Sequence, residues 1–192
     1  MALMHRWNNA NELSPLTFTC GYCGKLVASD RGYFSDIPST NIRQFSYICP
    51  NCRKPTFFDG KGQIPGVTPG VDVLNVPPPV DQLYREARKC IAAECYTSSV
   101  LTCRKLLMNI AVAQGATPGE SFQSYVEYLA KKGFVPPHGK GWVDHIRKKG
   151  NEANHEIVLM EKQDAEDLVT FLEMLLKFIY EFPNKIPTPA IP

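Results

Sequence analysis

Residues 147–155 read RKKGNEANH, which sets Arg147, Asn151 and His155 four residues apart. On a continuous helix each i, i+4 step advances about 40° around the axis, so the three would share one face within roughly an 80° arc. Such a face suits a phosphate. Histidine exchanges protons near neutral pH, arginine presents charge and donors to phosphate oxygens, and asparagine can orient either partner. Gly150 opens an alternative in which one helix ends there, Asn151 caps the next and His155 packs between helices. His138, in a Pro-Pro loop, and His145, with no matched partner in the sequence pattern, are weaker candidates.

A second constellation is made of sulfur. Cys20-Gly21-Tyr22-Cys23 and Cys49-Pro50-Asn51-Cys52 are two CxxC pairs separated by strand-like sequence, the layout of a zinc ribbon. A tetrahedral Zn²⁺ takes four soft ligands at about 2.3 Å, and a tight turn after each first cysteine lets both thiolates of a pair point at one ion. Gly24 permits the positive backbone angle that such turns use. Cys20, Cys23, Cys49 and Cys52 fill the coordination sphere, so the expected zinc is structural, supplying on the order of 10 kcal/mol to a module with few apolar residues. The same module mixes Arg31, Arg43, Arg53 and Lys54 with Tyr22, Tyr33, Phe34, Phe45, Tyr47 and Phe57. These residues could meet phosphates and stack on bases, or the aromatics could form the ribbon's own small core.

Arg104 is the third candidate. It falls among Val100, Leu101, Leu107, Met108 and Ala111 on the apolar side of its helix, where an unpaired charge is costly. Glu86, Glu94 or Glu152 could pair with it, or an anionic ligand could.

The elements that position these groups divide into two kinds. Residues 1–58 hold short aromatic and β-branched runs broken by glycine and proline, a small β ribbon. Residues 59–79 are rich in proline and glycine and read as a linker, with the triple proline extended. From residue 80 to 183 the period becomes helical. Asp81 is the expected N-cap of a first helix, and a second runs from about 97 to 114. Thr117-Pro118-Gly119-Glu120 has capping-box spacing for a third, and a short helix starts near Gly141. The last carries Ala165, Leu168, Leu172, Leu175 and Ile179 on a broad apolar face ending at Phe182-Pro183. Residues 184–192 form an extended tail. The expected fold class is α+β, a zinc ribbon followed by an all-α bundle.

Composition excludes several classes. With 44% hydrophobic and 21% charged residues in 192, the chain resembles soluble proteins, and a net charge of +2 confines nucleic-acid attraction to local patches. No apolar run approaches the roughly 20 residues that span a bilayer, and the opening MALMHRWNNANELSP lacks a signal-peptide core. Beyond the two CxxC pairs, Cys90, Cys95 and Cys103 form an odd, helix-borne set, which points to a reducing, cytoplasmic setting.

Four segments in order carry a resemblance: 84–90 (YREARKC), 103–107 (CRKLL), 147–155 and 178–183 (FIYEFP). Together, over about residues 80–183, they resemble the HEPN-like helical families. More narrowly they resemble a bacterial and phage domain-of-unknown-function family with a GN-x-x-x-H signature. The resemblance implies a helical bundle that forms a homodimer and binds or cleaves RNA without a metal, in bacterial or phage conflict. In it His155 transfers a proton during attack of a ribose 2′-hydroxyl, Arg147 stabilises the phosphate and Asn151 orients the pair. The chain departs from the nucleolytic pattern at Gly150, where an arginine usually stands. A non-catalytic dimeric adaptor and a nucleotide- or anion-sensing module are the alternatives.

Overall fold

The computed structural model describes residues 7–37, 42–135, 141, 144–146, 148 and 159–185. The chain divides into two compact units, Met1–Thr68 and Pro69–Pro192, at a point inside the segment read as a linker. The class is α+β.

The first unit is an antiparallel meander of five strands in the order β1-β2-β3-β4-β5. They are β1 (Asn11–Thr19), β2 (Leu26–Ile37), β3 (Ile42–Ile48), β4 (Pro55–Phe58) and β5 (Gln63–Ile64). Register opposes Phe34 to Phe45, Phe45 to Phe58 and Tyr47 to Thr56, placing aromatic side chains on one face. There Phe58 meets Phe18 and Tyr47 edge to face at 5.2 and 5.7 Å and Phe18 lies tilted against Tyr47 at 6.3 Å, with Leu13, Cys20 and Cys49 completing a small core. β1 slips register between Glu12 and Leu16, and the Tyr47 hydroxyl donates to the Ser14 carbonyl in that bulge at 2.8 Å.

The second unit is helical: α1 (Pro78–Ala92), α2 (Tyr96–Ala113), α3 (Phe122–Lys131) and α4 (Lys162–Leu176). A π-helical turn (Lys177–Glu181) and a 3₁₀ turn (Pro183–Lys185) follow α4. Residues 141, 144–146 and 148 are helical as well. α2 packs against α1, α3 and α4, and its Val100, Leu106, Leu107 and Ile110 lie in a continuous core with Phe122, Leu129, Phe171 and Leu172. Each such side chain contributes about 1.5–3 kcal/mol by leaving water.

Three helix details differ from the sequence reading. α1 begins at Pro78 rather than behind an Asp81 cap, because prolines without N–H groups fit a first turn, where those groups lack helical partners anyway. Ser121 caps α3, accepting the Ser124 amide at 3.1 Å, and Thr117–Glu120 is a turn before it. On α2, Leu101 is exposed while Cys103, Leu106 and Ile110 are buried, so the buried face is rotated from the expected one.

The second half of the linker segment is fastened to the helical unit. Arg88, only 7% exposed, donates to the carbonyls of Pro69 at 2.6 Å and Gly70 at 2.8 Å and to Asp72 Oδ1 at 2.7 Å. Glu173 accepts the Val71 amide at 3.0 Å, and Glu181 accepts that of Leu74 at 3.2 Å. Charged side chains thus satisfy backbone groups that proline-rich sequence could not pair in a helix or sheet.

Candidate metal centre and the helical signature

An antiparallel meander puts its β1–β2 and β3–β4 turns at the same end of the sheet, and those turns are residues 20–25 and 49–54. The topology therefore delivers both cysteine pairs to one point. Each turn is closed in the same way. Cys20 N donates to Lys25 O at 3.0 Å and Cys49 N to Lys54 O at 2.9 Å, while Gly24 and Arg53 return their amides to the carbonyls of Cys20 and Cys49.

The four Sγ atoms of Cys20, Cys23, Cys49 and Cys52 lie within 4.8 Å of one another and could hold a metal ion. Across the turns, Cys20 and Cys52 are 3.7 Å apart and Cys23 and Cys49 3.8 Å. A tetrahedron with sulfur about 2.3 Å from its centre has edges of about 3.8 Å, so the donor set and its spacing fit a thiolate-bound ion. Burial, with neighbouring sulfurs adding to it, pushes the Cys52 thiol up to about 12. Burial also raises Cys23, but bonds from Lys25, Asn51 and the Cys20 and Cys49 sulfurs outweigh it and bring that thiol down to about 7. Four thiolates this close need a cation.

The aromatics divide. Phe45 and Tyr47 join the ribbon core, as the packing alternative holds, whereas Tyr22, Phe34 and Phe57 are exposed. Lys54 Nζ stands 4.9 Å over the Tyr22 ring, a cation–π contact between the two knuckles.

In the helical unit the half-buried Arg104 guanidinium stacks on Phe122, 4.3 Å from the ring centroid, and burial lowers its pKa. Arg147, Asn151 and His155 lie outside the described residues, as does His138. His145 has a partner the sequence did not signal: its Nε2 is 3.0 Å from Asp167 Oδ2 on α4, and Gln163 Nε2 donates to the other oxygen at 2.8 Å. Twenty-two residues separate His145 from Asp167, and only the packing of α4 joins them.

A family model described as a domain of unknown function, DUF4145, matches residues 85–189, more than half of the chain. The chain belongs to the DUF4145 family. No curated protein and no solved structure matches it. The matched DUF4145 range contains Arg104, the 147–155 segment and the His145–Asp167 pair, and it starts within α1. Residues 69–74 precede it, yet they are held by Arg88, Glu173 and Glu181 from inside it. No helix among the described residues is long and apolar enough to cross a membrane.

Proposed function

We propose that this protein is a zinc-dependent, nucleic-acid-associated protein: a ribbon held by Zn²⁺ on Cys20, Cys23, Cys49 and Cys52, joined to a HEPN-like DUF4145 domain that binds RNA. The observation carrying the reading is the tetrahedral spacing of four sulfurs at one end of the meander. Thiolate donors suit zinc, and a four-sulfur shell leaves no position for catalytic water, so the ion's task is to hold the knuckles. Support for RNA comes from the order of the helical motifs and from the arginine and histidine of residues 147–155.

The test is a native gel with full-length, zinc-loaded protein and mixed RNA, without added Mg²⁺. Retarded RNA supports the reading, and products that vanish in His155→Ala would assign a metal-independent ribonuclease to Arg147, Asn151 and His155. Absence of retardation with both RNA and DNA overturns it.

A second reading, a non-catalytic dimeric adaptor, draws on the edge-to-face pair Phe178 and Phe182, residues that are 45% and 39% exposed. Light scattering would separate the readings: a dimer lost in Phe178→Ser, together with no RNA binding, favours the adaptor.

A further inference from the structure

The ribbon contains a cleft of about 320 Å³, lined by none of the cysteines, between the second knuckle, β2 and the segment that precedes β1. Trp7, Arg31, Arg53, Asp30, Ser29 and Pro50 are among its walls. Two arginines against one aspartate give its lining a net positive charge.

Two features distinguish this cleft from a surface fold. Arg53 stands at φ +61°, in the left-handed region that side chains rarely adopt, at the place where the first knuckle has Gly24 at +67°. A glycine would satisfy the turn without strain, and what arginine adds is a cationic side chain on a residue that lines the cleft. Trp7 is also fixed in place. Its Nε1 donates to the Arg53 carbonyl at 2.6 Å and its ring meets Tyr33 edge to face at 6.3 Å, so the polar edge is used and its remaining offer to a ligand is apolar ring surface.

We infer that this cleft binds one nucleotide unit of single-stranded nucleic acid, with the phosphodiester against Arg31 and Arg53 and the base against Trp7. Its volume, at the small end of the roughly 300–1,000 Å³ of ligand clefts, admits a nucleotide and not a duplex. Arginine presents a planar fork to phosphate oxygens, and base stacking on an aromatic ring tolerates any sequence. An acidic peptide would use the arginines but leave the tryptophan surface uncovered, so the nucleotide fits more of the walls. The inference rests on the nucleic-acid reading above and locates its ribbon contact.

The experiment titrates zinc-loaded, full-length protein with a ten-nucleotide single-stranded oligouridylate. Trp142→Phe serves as background, so that Trp7 is the sole tryptophan. Binding should quench Trp7 emission. Arg53→Gly, which suits the left-handed backbone, and Arg31→Gln should each weaken affinity about tenfold and lower the log–log salt slope by about 0.7. Trp7→Leu should weaken binding similarly when read by fluorescence polarisation of a labelled oligonucleotide. If the parent binds and all three variants bind equally well, the cleft is overturned while the nucleic-acid reading stands. Polyglutamate competing as strongly as the oligonucleotide overturns the nucleotide assignment. If cleft variants lose binding and Arg147→Ala does not, the cleft stands and RNA contact by the helical domain through Arg147 falls. No binding of the oligouridylate by the parent overturns the cleft, and the nucleic-acid reading then falls only if mixed RNA and DNA are not retarded either.

Discussion

Gly24 and Arg53 hold the same left-handed conformation at the same position of two equivalent knuckles, each donating its amide to the carbonyl of the first cysteine, at 2.8 and 2.9 Å. One position is occupied by the residue the backbone prefers. The other carries a long cation that the backbone resists, which makes the pair an internal control on the cost of the turn.

Gly24→Ala should weaken the ribbon by about 1 kcal/mol, because a Cβ there meets nothing within 4 Å and only the conformational penalty remains. Arg53→Gly should be near neutral, since relief of strain offsets the greater freedom of glycine in the unfolded chain. Competition for the metal by a graded chelator series measures both. Equal losses in the two variants would show that the knuckles are not equivalent.

Gly21→Ala should cost more than Gly24→Ala. Its Cβ would sit 2.3 Å from the Pro65 carbonyl oxygen and 2.4 Å from that of Gly66, and backbone atoms cannot rotate away as a side chain could. A loss of about 1–3 kcal/mol is expected, in the range of overpacked sites. Thermal melts of the zinc-loaded protein compare the two alanines, and a smaller loss at Gly21 would contradict the close approach of 65–66 to the first knuckle.

Removing the metal should abolish β structure and spare the helices. The ribbon's buried core is a handful of residues including two of the cysteines, whereas the helical unit has its own continuous core. Elemental analysis should find one zinc per chain, and Cys20→Ser or Cys52→Ser should reduce it. Loss of helical circular dichroism in parallel with zinc would refute independent cores.

Arg88→Met should free the 69–74 strap. It leaves two carbonyls and Asp72 without their buried donor, a loss of about 2–4 kcal/mol. Acid should act in the same direction. Bonds from the Lys185 side chain and the Leu74 amide hold Glu181 below its ordinary 4.5, and the Arg88 hydrogen bond holds Asp72 below 3.8. Depressed carboxylates stabilise above their ordinary pKa values, so the contribution is full above about 4.5 and lost as pH falls through the folded values. Protection factors for the Val71 and Leu74 amides should drop in that acidic window and, in Arg88→Met, already at pH 7.

His145→Gln should change stability by no more than about 1 kcal/mol, because His145 and Asp167 are both partly exposed and such pairs are weak. A loss of RNA binding or cleavage in this variant with an unchanged melting temperature would assign the pair a role beyond the fold.

Some of this was written locally. CxxC spacing, the 3.6-residue period of α4 and the change from strand to helix character are short-range patterns, and Cys20, Cys23, Cys49 and Cys52 and the face Ala165, Leu168, Leu172, Leu175 could be named from them. Other features depend on distant groups meeting. The knuckles converge because a meander brings alternate turns to one end, His145 finds Asp167 across 22 residues, and Arg88, Glu173 and Glu181 satisfy a proline-rich strap. Which side chains could bind a metal, and the apolar face of α4, follow from neighbours along the chain, whereas the buried face of α2 does not. Which charges become partners is set by packing, because a buried polar group is satisfied by whatever the fold brings within about 3 Å, not by what precedes or follows it in sequence.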